Sequence, residues 1–255
     1  MPRHHHRRRG SASTDGGAGF LTALGATVRD QYGARIDPTG QCIGSAKHLD
    51  LSELHPGIAC ASFTLAVDVD NPLYGPLGAA SVYAPQKGAS PDQVIELDRA
   101  LRGWADVVER ETKTDYRTTA GAGAAGGVGF AALAVLRART QPGIDVILDR
   151  IELDRHLQGA CAVVTGEGSL DRQSLRGKAA IGVCRRALAY GVPTFAVAGV
   201  SALAPAEARA AGFAGVYALS DLEPDLARSM SQAAELLTLA SEQLGHELRL
   251  LPVCR

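Results

Sequence analysis

One pattern between residues 160 and 220 constrains the fold more than anything else in the chain. The runs "ACAVVTG" (160–166), "PTFAVAG" (193–199) and "GVYALS" (215–220) are short, apolar and end in Gly or Ser. Between them lie "LRGKAAIGVCRRALAYG" and "APAEARAAG", each amphipathic at helical spacing and each closed by a glycine. Strands alternating with helices imply crossover connections and a parallel, doubly wound sheet. Ligands in such sheets bind beyond the carboxyl ends of the strands. Those ends are expected at Thr165–Gly168, at Gly199 and at Ser220–Asp221, and one long helix is expected from Asp225 to about Leu250.

The first half follows another rhythm. "DGGAGFLTALG" from Asp15 reads as a glycine turn feeding a short helix that stops at Gly25, and residues 26–57 are polar and turn-rich. "ACASFTLAV" (59–67) reads as a strand ending in the turn "DVDNPLYGPLG". Ser90-Pro91-Asp92 starts a helix whose stripe, Val94, Leu97, Leu101, Trp104 and Val108, reads as plain core. A second glycine cluster, "AGAGAAGGVG" (120–129), opens a helix expected to reach Arg139. The domain seam is expected between residues 140 and 155, where irregular sequence gives way to regular alternation.

Composition is that of an ordinary globular chain, 46% hydrophobic and 21% charged, with 26 basic and 27 acidic residues. Four of the basic residues crowd into the start, "MPRHHHRRRG", so the body is mildly acidic and unsuited to a duplex. The five cysteines are scattered and form no CxxC, which argues against a disulfide framework or zinc knuckle and for a reducing cytoplasm. No apolar stretch suits a membrane span, and no nucleic-acid or membrane partner is expected.

Gly121, Gly123 and Gly126 match G-x-G-x-x-G, but the preceding "TKTDYRTTA" is too polar for the buried strand a dinucleotide fingerprint requires. Glycines before a helix can instead bring backbone amides to an anion, or merely allow a tight packing turn. "TGEGSLDRQSLRGK" (165–178) is the densest polar stretch at any strand end. Its Glu167 and Lys178 suit a metal or hydroxyl and a phosphate, whereas Asp171 serves equally well as a helix cap. Asp68, Asp70 and Asn71 follow a strand but fail the calcium-loop pattern, and Asx-Pro turns often use such side chains on their own backbone. Lys87 lies beside Gln86 in a second glycine turn; lysine is rare here, limited to Lys47, Lys87, Lys113 and Lys178, and its use in place of the habitual arginine hints that a compact ammonium is wanted. From residues alone the chain is an α/β protein that binds a phosphorylated or acidic small molecule.

Five motifs in order, "GSASTDGGAGFLTALGA", "VDNPLYGPLGAASVYAPQKGAS", "AGAGAAGGVGF", "PGIDVIL" and "VVTGEGSLDRQSLRGKA", resemble the bacterial glycerate kinase family from Gly10 to about Leu250. The resemblance implies two α/β domains with a cleft between them and transfer of the γ-phosphoryl group of ATP to D-glycerate with Mg²⁺. It implies Asp15, Asp68, Glu167 and Lys178 as catalytic groups, with Asp68 and Glu167 on the metal. Substrate and nucleotide contacts would come from Ser11, Gly16, Gly17, Asn71, Gln86 and Lys87, from the cradle of Gly121, Gly123, Gly126 and Gly127, and from Gly166, Gly168, Asp171 and Gln173.

The family also has a longer N-terminal portion, so the sheet of residues 146–255, the C-terminal half of a Rossmann-like domain, is expected to lack its N-terminal strands. Residues 10–145 are expected to form the glycine-rich α/β domain, incomplete at its N-terminus. Residues 1–9 are expected to be a frame-shifted or non-native start, since shifting the frame turns the His-Arg run into an Ile-Val-Gly strand; a metal tract and a basic arm compete with that reading. A non-catalytic binding protein retaining the fold is the alternative function.

Overall fold

The computed structural model describes residues 11–172, 174 and 179–251. The chain divides into two compact units, at Gln141 and Pro142.

The first unit is built around one long helix. It begins with helix α1 (Ala18–Ala23), stopped by Gly25 at φ 108°. Residues 26–57, expected to be irregular, contain strands β1 (Thr27–Arg29) and β2 (His48–Asp50), paired antiparallel with Val28 opposite Leu49. The strand expected over 59–67 is shorter: helix α2 (Gly57–Cys60) takes its first part, with Pro56 already at helical angles (φ −55°, ψ −31°), and strand β3 spans only Thr64–Ala66. Helix α3 (Ala79–Tyr83) leads to α4 (Pro91–Thr112), 22 residues long. Ser90 caps α4 as its sequence foretold, accepting from the Gln93 amide while the Gln93 side chain accepts from the Ser90 amide. Leu101, Trp104 and Val108 are fully buried, and Val94 and Leu97 pack against the same core with Leu21 and Phe130.

Helix α5 (Val128–Ala134) ends well before Arg139 because Arg137 adopts a left-handed conformation (φ 53°). The chain then forms strand β4 (Arg139–Gln141), parallel to β3.

The second unit opens with α6 (Gly143–Arg150) and α7 (Leu153–Leu157), followed by β5 (Val163–Leu170), α8 (Ala179–Ala189), β6 (Thr194–Ser201), α9 (Pro205–Ala210) and β7 (Phe213–Ala218). The strands pair in parallel in the order β5-β6-β7. Ala196 and Ala198 of β6 pack with Ala180 and Cys184 of α8 and Ala208 of α9. Val197, on the opposite face, packs with Leu219 of helix α10 (Leu219–Leu222) and with later helical residues. Both faces are therefore covered, as a doubly wound sheet requires. Gly191 (φ 69°) and Gly212 (φ 102°) close their helices in the left-handed region.

Two further expectations differ from the fold. β5 and β6 run past the glycines read as their ends, because Gly166, Glu167 and Gly199 lie in the ladder itself; a side chain at Gly199 would press on the Gly168 carbonyl, 2.7 Å from its Cβ. The C-terminal helix is broken at Gln232 (φ −105°, ψ 17°) into α11 (Leu226–Ser231) and α12 (Ala233–Leu248). Arg186 staples α8 to both preceding helices, binding Asp149 at 2.8 Å and Asp154 at 3.2 Å.

Cys42, Cys60, Cys161 and Cys184 are free thiols. Among the described residues no helix is long and apolar enough to cross a membrane. Residues 1–9, with their expected frame-shifted start, lie outside the described residues.

Gly126 stands at φ 73° with its Cα facing the Ser13 carbonyl, whereas Gly33 (φ 82°) has nothing within 4 Å of a Cβ. Gly33→Ala should cost only the left-handed penalty, about 1–2 kcal/mol, and Gly126→Ala should lose more by adding a collision to that strain. Urea unfolding followed by the fluorescence of Trp104, the single tryptophan, measures both.

Candidate functional site

The two glycine clusters of the first unit interlock. Gly16 and Gly17 are left-handed (φ 66° and 76°), as are Gly121, Gly126 and Gly127. The Gly16 amide donates to the Gly126 carbonyl at 3.0 Å, and a side chain on Gly127 would strike the backbone of Gly16. Gly121 lies against Val67, and Gly123 against the Asn71 and Pro72 carbonyls. Asp15 is buried at 6% exposure, its Oδ1 accepting from the Gly17 amide (3.1 Å) and its Oδ2 from the Gly19 amide (3.0 Å). The amides of Gly16, Gly17, Gly19 and Gly123 thus already have partners inside the protein. Close backbone packing explains these glycines, and those four amides are not presented to a ligand.

A cavity of about 680 Å³ opens beside this interlock. Its walls are the Ala12–Asp15 turn, the loop from Pro38 to Gln41, Ala84, the turn from Lys87 to Ala89, and one face of α4. That face carries Gln93, Glu96, Leu97 and Ala100, the i, i+3, i+4, i+7 stripe of a helix. Lys87 ends a 3₁₀ turn (Pro85–Lys87) closed by Gly88 at φ 102°. Its Nζ donates to the Ser13 carbonyl at 2.5 Å. Burial pushes the Lys87 pKa down from the ordinary lysine value, and the charge of Asp15 opposes that shift. An ammonium has three N–H donors, so this one has two left for an anion in the cavity. The capping box orients Gln93, since its Oε1 faces the Ser90 amide (2.8 Å) and the side-chain nitrogen points elsewhere.

Of the residues expected from the sequence, Asp15 and Lys87 line the cavity; Ser11, half-buried, and Gln86, exposed, belong to the same turns but not to its lining. Asp68 is exposed beyond β3. Asn71 is structural: its Nδ2 donates to the Leu77 carbonyl (2.7 Å) and its Oδ1 accepts from the Tyr83 hydroxyl (2.5 Å). The loop after it is held by Asp98, which accepts from the Gly75 amide (2.6 Å), and by Arg102 stacked over the Tyr74 ring.

In the second unit Gly166, Glu167 and Gly168 lie within β5 rather than beyond it. Asp171 and Ser174 bond reciprocally, Asp171 Oδ1 accepting from the Ser174 amide (2.8 Å) and Ser174 Oγ from the Asp171 amide (3.1 Å), which is the capping role. Gln173 and Lys178 lie outside the described residues. Among the described residues no three His, Cys, Asp or Glu side chains converge as a metal cage. Sequence reasoning missed the 38–41 loop, Gln93, Glu96 and Ala100, and assigned Leu97 to the core alone; helical periodicity marks a wall but not which part of it is left uncovered.

The family described as the glycerate kinase family matches residues 9–249. A glycerate kinase of Bacillus subtilis is 42% identical over 190 residues, covering 74% of this chain and 50% of that protein. A glycerate 2-kinase of Escherichia coli is 40% identical with the same coverage of both chains. A crystal structure assigned to glycerate kinase 2 of Salmonella typhimurium superimposes with a TM-score of 0.72 at 36% identity, covering 92% of this chain and 63% of that one. The chain therefore spans about half the length of these two curated relatives. With a family match over nearly all of its length, the same motif order and the same fold, this chain belongs to the glycerate kinase family.

Proposed function

We propose that the protein transfers the γ-phosphoryl group of ATP to a hydroxyl of D-glycerate. The observation that carries this reading is the meeting of two separate family motifs, Ser11–Gly17 and Gln86–Gly88, at one cavity through the bond from Lys87 to the Ser13 carbonyl. Phosphoryl transfer asks little covalent chemistry of a protein and much positioning and cationic stabilisation. Lys87 supplies a positive charge already aimed and partly desolvated, so it neutralises phosphate oxygens without reorganising.

Asp15 holds the Ala12–Asp15 wall in place through the Gly17 and Gly19 amides and supports the Lys87 charge. Mg²⁺ typically takes one or two protein carboxylates and completes its shell with phosphate oxygens and water. Asp68 of the first unit and Glu167 of the second are each a donor of that hard type, and an ion held by such a carboxylate would neutralise charge on the transferred phosphoryl group. Lys178 is proposed as a second phosphate ligand. The name of the Escherichia coli relative makes the 2-hydroxyl the first acceptor to test. The free thiols suit the reducing cytoplasm proposed for it.

Purified protein given ATP, Mg²⁺ and D-glycerate should form ADP and phosphoglycerate in equal amounts. Binding of ATP without turnover would instead favour a non-catalytic binding protein, and binding of neither would overturn both readings. Lys87→Met should lower kcat/KM by about 10²-fold or more with an unchanged circular-dichroism spectrum.

Because burial lowers the Lys87 pKa, the charged form that binds anions is lost as pH rises through a value below the ordinary lysine range. The alkaline limb of kcat/KM should therefore fall early. Lys87→Arg, which keeps its charge, should move that limb upward even where it lowers the plateau.

A further inference from the structure

The cavity of the first unit is larger than the proposed acceptor needs. Its volume of about 680 Å³ matches some two dozen water molecules at ~30 Å³ each. That is room for the roughly thirty non-hydrogen atoms of a nucleoside triphosphate and several times the room required by about seven atoms of glycerate.

Its lining is also graded along α4. Lys87 lies four residues before the first residue of the helix, at its positive end, where phosphate charge is favoured. One turn further along the same face comes Gln93, then Glu96, then Leu97 and Ala100 with Pro38 and Ala84 supplying apolar walls. From Gln93 to Ala100 the helix rises about 10 Å, comparable to the length of a nucleoside. A carboxylate between an apolar end and a cationic end is the arrangement by which ribose hydroxyls are recognised between base and phosphate.

Resting on the phosphotransfer reading, we propose that this cavity is the nucleotide subsite, not the acceptor subsite. The base lies against Leu97 and Ala100, the ribose hydroxyls donate to Glu96, the Gln93 side-chain nitrogen reaches the sugar-phosphate link, and Lys87 takes a phosphate oxygen.

Titration calorimetry on the full chain with ADP, adenosine and D-glycerate in separate runs tests this. ADP should bind to the unmodified protein, and Glu96→Gln, at an exposed position, should weaken both ADP and adenosine by about fivefold or more. Ala100→Val, which narrows the apolar end, should also weaken ADP, while the KM for D-glycerate stays the same in both variants. No ADP binding, or ADP affinity unchanged in Glu96→Gln, overturns the assignment; so does a rise in the D-glycerate KM alone. If Ala100→Val fails to fold, Glu96→Gln decides. The two readings fail separately. ADP binding that weakens as expected in a protein that never phosphorylates D-glycerate leaves the subsite standing and removes the activity, whereas turnover with variants that disturb only D-glycerate removes the subsite and leaves the activity.

Discussion

A single buried carboxylate, that of Asp15, governs where the first unit has room for a ligand. It satisfies amides at the start of α1 from inside the protein, so the positive end of that short helix already has its anion. An incoming phosphate finds no vacancy among those amides. The cation proposed to meet that phosphate is Lys87, across the turn, whose ammonium is fixed by the Ser13 carbonyl two residues before Asp15. Trp104 reinforces the arrangement from beneath: its indole is fully buried, its N–H needs an acceptor, and the Gly16 carbonyl provides one at 3.0 Å. Only glycine fits at Gly16, because a Cβ there would meet the indole ring.

The same accounting explains why a glycine-rich sequence is ambiguous evidence for anion binding. Glycine permits close approach, but sequence does not say what approaches. In the clusters around Gly16 and Gly126 the approaching group is another stretch of the same backbone, and the hydrogen bond from Gly16 to Gly126 records it. Open space lies instead beside the Ala12–Asp15 turn, against α4, in a cavity whose small residues are Ala12, Ala84, Ala89 and Ala100 together with Gly40 and Gly88.

Much of the fold was legible wherever a signal ran long enough to repeat. The 22 residues of α4 announce themselves by Ser90-Pro91 at one end and an apolar stripe along their length, and β5, β6 and β7 by the spacing of their apolar runs. Strands of three residues are shorter than two periods of alternation, so β1 and β2 passed as loop and most of the run around β3 was misjudged. Gly166 and Gly199 were read as stops, although glycine is tolerated inside a central ladder where neighbouring backbone is near. Within the site, Asp15 and Lys87 were found because they sit in motifs; Glu96 and Leu97 were not, because nothing local separates a helix face against core from one against a cavity.

The uneven use of arginine and lysine follows from the same division of labour. Arg117 is surrounded by Asp106, Asp115 and Glu109, and Arg186 by Asp149 and Asp154, each guanidinium joining carboxylates from different parts of the chain. Burial disfavours the charge of Arg117, yet its bonds to Tyr74, Asp115 and Asp106 hold its pKa above the ordinary arginine value. Several donors in a fixed planar fork suit that stapling task, and a lone ammonium does not. In the proposed function Lys87 has the opposite requirement: it spends one donor on a carbonyl and keeps the remainder for a ligand that comes and goes. A guanidinium at that position would arrive with its geometry already committed, whereas an ammonium on a flexible stem adjusts to whichever phosphate oxygen is presented.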